Sequence, residues 1–153
     1  MKDQNPDQKI VTTNRKALFD YFIIETYEAG IALKGTEVKS LRLGNANLQD
    51  SYAAIVKGEV WLIGLHINPF EQGNINNHEP RRERKLLMHR QEIRRLASKL
   101  SEKGLTLVPL KLYFTKKNVK VELGLGKGKK QFDKRETIKA REVDRELRRK
   151  MRR

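Results

Sequence analysis

The residues best placed to do chemistry in this chain are cations set beside glycine and asparagine, and the chemistry they suit is the holding of phosphate. Gly124-x-Gly126-x-Gly128-Lys129 allows a close backbone approach to a phosphate, and Lys127, Lys129 and Lys130 add charge that can hold an RNA strand. It is not a nucleotide-binding P-loop: the Walker spacing is absent, and Lys130 stands where Ser or Thr would coordinate magnesium. Arg81-Arg82-x-Arg84-Lys85 reads as a second phosphate-contacting patch, because guanidinium groups donate to phosphate in a planar, bidentate way. Asn14-Arg15-Lys16 adds two adjacent cations, and Lys39 and Arg42, three apart on a short helix, share an outer face. Phe132 lies between Gln131 and Asp133 in a segment without a core pattern, which suits stacking on a base.

Other chemistries find little support. The chain has no cysteine, so thiol catalysis, disulfides and zinc ribbons fall away together. His66, His78 and His89 show no metal-ligand spacing. Glu28 and Glu37 would be the carboxylate pair of a metal-dependent nuclease, but each reads better as organising a nearby Arg or Lys or accepting from RNA hydroxyls. No nucleophile is paired with a base, so no catalytic residue, metal or cofactor is assigned.

Charge points the same way. The formal net charge is +15, and residues 127–153 hold 13 Lys and Arg against 5 Asp and Glu. The final 27 residues thus carry about half of the charge, which favours a polyanionic partner, nucleic acid before membrane. There is no apolar run of membrane-spanning length and no signal-peptide pattern at the N-terminus. A cytoplasmic monomer is expected.

These residues need elements to position them. Residues 1–13 read as a flexible leader. Phe19 to Leu33 reads as extended, interrupted at Gly30. Gly35 to Gly44 is a short helix with Thr36 as its cap, and Ser51–Lys57 and Glu59–Ile67 form a hairpin about Gly58. Residues 68–80 are a loop. A helix over about His89 to Lys103 turns Ile93, Leu96, Ala97 and Leu100 inward, and strands Leu105–Thr115 and Val119–Leu125 follow. Trp61 and Tyr113 read as core. The fold class is mainly β with added helices: an OB-like antiparallel β-barrel with two to three helices over residues 14–126. Residues 127–153 form a basic tail. Asp133 and Glu136 make a capping box, but Ile138, Val143, Leu147 and Met151 form only a thin apolar stripe, so the tail is expected to be disordered in the free protein and helical on a partner.

Several blocks, taken together, resemble one family. Asn14-Arg15-Lys16-Ala17, Glu28-Ala29-Gly30-Ile31, Gly35-Thr36-Glu37-Val38-Lys39-Ser40-Leu41-Arg42, Arg84-Lys85-Leu86-Leu87, Thr106-Leu107-Val108-Pro109-Leu110 and Gly128-Lys129-Lys130-x-x-Asp133-Lys134-Arg135 stand in the order found in the bacterial SsrA-binding (SmpB) family. The resemblance runs from about residue 12 to the end. It implies an OB-type barrel that binds the tRNA-like domain of transfer-messenger RNA (SsrA) and brings it to stalled ribosomes for trans-translation. It implies no enzymatic activity. The tail would enter the vacant mRNA channel near the small-subunit decoding region. The RNA-binding side implied by the resemblance comprises Asn14, Arg15, Lys16, Glu28, Gly35, Glu37, Lys39, Ser40 and Arg42, with Arg84 and Lys85. The ribosome-engaging junction comprises Lys127, Lys129, Lys130, Phe132, Asp133, Lys134 and Arg135. The family often has His or Tyr in place of Phe132: stacking survives that change, whereas a ring hydrogen bond does not. The alternative reading is a ribosomal protein or general RNA chaperone with non-specific RNA binding.

Overall fold

Alternating apolar and polar residues build strands with one buried face, and such strands are stable when their edges are paired. In the computed structural model, which describes residues 8–70, 77–102, 104–116 and 118–129, with 138, 141–143, 145–147 and 149 of the tail, the strands close on themselves. In chain order the elements are β1 (Gln8–Thr13), α1 (Arg15–Asp20), β2 (Tyr21–Ile31), α2 (Gly35–Arg42), β3 (Ala46–Asn47), β4 (Tyr52–Val56), β5 (Glu59–Ile63), β6 (His66–Ile67), β7 (Arg84–Leu87), α3 (Arg90–Leu100), β8 (Leu105–Thr115) and β9 (Asn118–Gly128). The main sheet runs β1-β8-β4-β5-β7-β2-β9, and β9 also pairs with β8. That last pairing closes the ring, and every pairing in it is antiparallel. This is the barrel-like sheet with added helices that the sequence predicts.

The core fills the ring. Val60, Leu62, Leu86, Leu107, Leu112, Val121 and Leu123 are all buried, and α3 adds Leu96, with Ile93 and Leu100 partly buried against the same cluster. Ala97, expected on the inner face, is exposed. Tyr113 is buried as expected, whereas Trp61 is only partly covered, on β5 opposite Lys85. A smaller cluster of Ala17, Val108 and Leu110, flanked by Tyr21 and Ile23, seats α1 on β8.

Some local expectations are revised. Residues 8–13, read as leader, form β1 and pair with Lys111–Thr115, because the outer half of β8 offers an open edge. Phe19 and Asp20, read as the start of the extended run, instead end a helix over Arg15–Asp20: Asn14 caps it, its Oδ1 accepting the Ala17 N–H (3.2 Å). Thr36 does not cap α2. Lys34 occupies that position, the Glu37 carboxylate accepts its N–H (2.8 Å), and Thr36 bonds to His78 instead. The β4–β5 hairpin turns as expected, with Lys57 and Gly58 both at positive φ (52° and 75°), the pattern of a two-residue type I′ turn. β9 extends to Gly128, past the boundary drawn at 126.

Candidate nucleic-acid interface

Asn14 shows how buried polarity sets out exposed charge. Its backbone N–H donates to Leu110 O (2.7 Å), and its side-chain amide donates to Pro109 O (2.9 Å) and Leu48 O (3.3 Å). The residue is buried. It therefore starts α1 at a fixed place on the barrel and leaves the next two residues, Arg15 and Lys16, exposed. Lys16 reaches Asp50 (2.6 Å), and that hydrogen bond raises its pKa. Asn14 thus positions the cations, and its own amide is occupied by the fold.

Glu37 does the same for α2. It is wholly buried at the helix N-terminus, where a carboxylate also favours the dipole. Arg82 donates to it from Nη2 (2.5 Å) and Nε (3.1 Å), and Arg84 Nε donates to it as well. The remaining Arg84 donors go to carbonyls: Leu65 O (2.7 Å), Arg82 O (3.1 Å) and Pro80 O (3.1 Å). Burial pushes the Glu37 pKa up, but Arg82, the Lys34 amide and Arg84 outweigh it and hold the carboxyl below its ordinary value. Glu37 therefore organises two nearby arginines, one of the two roles the sequence offers it, and Arg84, read from the sequence as part of a phosphate-contacting patch, is enclosed instead because its side chain is engaged internally. Ser40 is also internal, its Oγ donating to Asn68 O (2.7 Å). The outward groups of this helix are Lys39, whose ammonium lies over the Phe70 ring (5.5 Å from its centre), and Arg42. Gly35 is exposed at the first turn. Lys85, partly exposed, reaches Glu59 (3.3 Å) on the neighbouring strand.

Glu28 lies elsewhere, on the outer face of β2, and accepts the Tyr113 hydroxyl proton. Burial and that carboxylate push the Tyr113 pKa up. Glu28, Leu87 and Lys120 line one open groove, and Leu87 is 53% exposed there, opposite Gly30. Leu87 and Lys120 were not singled out from the sequence. The available signal was weak: Leu86-Leu87 must point to opposite faces of a strand, and Lys120 occupies a polar position between Val119 and Val121. Glu28 and Glu37 have separate sets of partners, so they do not form the carboxylate pair considered for a nuclease.

Of the three glycines at the junction, Gly124 and Gly126 serve packing, whereas Gly128 has open space about it. A Cβ at Gly124 would lie 2.9 Å from Leu110 Cδ1, and one at Gly126 would lie 3.0 Å from Tyr21 Cβ. The barrel wall, not a phosphate, occupies that space. Lys127 is exposed on β9 in register with Phe22 of β2. The Lys129 N–H donates to Asp20 O (2.8 Å), and its ammonium lies over the Phe22 ring (5.0 Å from its centre). Lys130, Phe132, Asp133, Lys134 and Arg135 lie outside the described residues, as does the Asp133/Glu136 capping box. Past Lys129, the described residues of the tail are helical; Ile138, Val143 and Leu147 are exposed, and the Arg141 guanidinium lies over the Phe19 ring (5.5 Å).

The surface is thus one of exposed cations on a buried polar frame, suited to phosphate contact. Among the described residues, no helix is long and apolar enough to cross a membrane. The family model described as SmpB protein matches residues 11–153. The SsrA-binding protein of Carboxydothermus hydrogenoformans is 64% identical over 140 residues, covering 92% of this chain and 94% of that one. The SsrA-binding protein of Gloeothece citriformis is 56% identical over 154 residues, covering 100% and 99%. A chain from a solved structure described as tmRNA-SmpB, in the bacterial ribosome, superposes with a TM-score of 0.67 at 56% identity, covering 78% of this chain and 85% of that one. With the family model matched from the first barrel strand to the last residue, this chain belongs to the SmpB family of SsrA-binding proteins.

Proposed function

We infer that this protein binds transfer-messenger RNA and carries it to stalled ribosomes as the adaptor of trans-translation. The observation that carries this reading is the family match over residues 11–153, joined to a barrel that displays cations on a fixed frame. The barrel provides the RNA-binding side. Arg15, Lys16, Lys39 and Arg42 are its phosphate contacts, Glu28 accepts from RNA, and Lys85 and Gly35 flank them. Asn14, Glu37, Ser40 and Arg84 act from beneath by fixing the backbone that carries those groups. The tail, from Lys127 onward, engages the ribosome through Lys127, Lys129, Lys130, Phe132, Asp133, Lys134 and Arg135, and passes into the empty mRNA channel. The protein works in the cytoplasm and by binding alone.

The division of labour is testable by deletion. A chain ending at Lys129 retains all of β9. It should bind isolated transfer-messenger RNA almost as the full chain does, yet fail to support peptide tagging on stalled ribosomes. Equal loss of both would reject the division. Preference for transfer-messenger RNA over bulk tRNA at physiological salt separates this adaptor from a general RNA chaperone, which would show none.

A further inference from the structure

α2 turns one face toward residues 67–70 and 77–80, and the contacts on that face follow helical spacing. Thr36 Oγ1 bonds to His78 Nδ1 (2.9 Å), Lys39 lies three residues on, and Ser40 Oγ donates to Asn68 O (2.7 Å). His78 is buried and donates from Nε2 to Ile67 O (2.9 Å), and the Asn68 N–H donates to Asn45 O (3.0 Å). Both stretches are thus tied to the helix at the two positions that bracket Lys39.

Phe70 completes the face. Asn77 holds its backbone twice, Oδ1 accepting the Phe70 N–H (3.0 Å) and Nδ2 donating to the Phe70 carbonyl (2.5 Å). The ring, partly buried, lies beneath the Lys39 ammonium, 5.5 Å from its centre, while Lys39 itself remains exposed. A lysine can be held in place in two ways. Lys16 is held by Asp50, a carboxylate that competes with phosphate for the same charge. Phe70 is neutral: the negative face of its ring orients the ammonium and leaves the full charge for an anion. A lysine already held over a ring also gives up less rotamer freedom when it binds.

We propose that Phe70 is a positioning residue for RNA binding, holding the Lys39 ammonium ready for a phosphate of transfer-messenger RNA, with Asn77 fixing Phe70 in turn. The proposal rests on the reading of Lys39 as a phosphate contact and deepens it.

A double-mutant cycle on the full chain tests this, with the isolated tRNA-like domain as ligand. Phe70→Leu keeps apolar bulk but loses the ring, and should weaken binding about 2- to 5-fold at physiological salt. Its log–log salt slope should not change, because no charge is removed. Phe70→Tyr, which keeps the ring face, should bind as the unmodified chain does. Lys39→Ala should weaken binding and reduce the magnitude of the slope by about 1. In that background Phe70→Leu should have no further effect, whereas a merely structural role would weaken both backgrounds alike. Such equal weakening, or unchanged or tighter binding by either single variant, would overturn the proposal. The adaptor reading fails separately, if the unmodified chain shows no preference for transfer-messenger RNA over bulk tRNA. The same cycle on oligouridylate would then still show the coupling if Phe70 holds Lys39 for phosphate, and its absence there would end the proposal too.

Discussion

Arg84 donates to Glu37 with both side chains wholly withdrawn from solvent, so a residue of the basic patch and a residue of α2 form one internal clasp. The clasp joins the N-terminus of α2 to the start of β7, and Arg82 closes it from the partly exposed side. The two elements are far apart in sequence, and the outward cations of α2 depend on their union.

Breaking the clasp should cost stability first and RNA binding only as a result. Glu37→Ala leaves two guanidinium groups facing each other, Arg84 without water, and should cost about 3–5 kcal/mol. Urea denaturation would show the midpoint falling by about 1–3 M. The fraction that remains folded should bind RNA with near-normal affinity if Glu37 is internal, and poorly if it contacts RNA.

The same pair sets an acid limb. The Glu37 pKa in the folded protein lies below its ordinary 4.5, so its contribution to stability is present above that pH and is lost as pH falls through the folded value. The urea midpoint should therefore decline below about pH 4.5. Glu37→Gln should lower the midpoint at pH 7 and flatten that decline. Part of the slope should persist, because the hydrogen bond from Lys99 also depresses the pKa of Glu25, at the surface.

Gly124→Ala distinguishes packing from phosphate binding. The new methyl meets Leu110 and Ile23 and should destabilise the barrel by about 1–3 kcal/mol, seen as a lower Tm. RNA affinity well below that Tm should be unchanged. A large loss of affinity at unchanged Tm would restore the cradle.

Arg42 and Lys16 make a useful contrast. Arg42→Ala should weaken binding and reduce the magnitude of the log–log salt slope by about 1. Lys16 already faces Asp50 across 2.6 Å, so Lys16→Ala should change the slope less. Binding titrations across a salt series measure both.

The tail should exchange its amides quickly in the free protein, despite its helical residues. Ile138, Val143 and Leu147 are all exposed, and a helix that meets Phe19 through Arg141 but buries so thin an apolar stripe is marginal. Hydrogen exchange should slow on stalled ribosomes. Strong protection throughout residues 134–150 of the free chain would reject this.

Much of the barrel is legible in local pattern. Val119, Val121 and Leu123 alternate with Lys120 and Glu122, and Lys57-Gly58 sits between two alternating runs, so strands and turn follow from period and backbone freedom alone. β1 is less legible, since Gln8–Thr13 is a strand only because β8 has an edge to offer. Likewise Asn14 caps α1 while its amide is held by Pro109, 95 residues away.

The sequence by itself determined the charge, the periodicities and the family. Those properties are carried by residue types and short spacings. Only the tertiary structure decided which polar groups face outward. Arg84 and Arg42 look alike in sequence, yet one is enclosed by Glu37 and three carbonyls and the other stands in solvent. The difference arises when β7 closes against β2 and β5, and no local pattern encodes that long-range pairing.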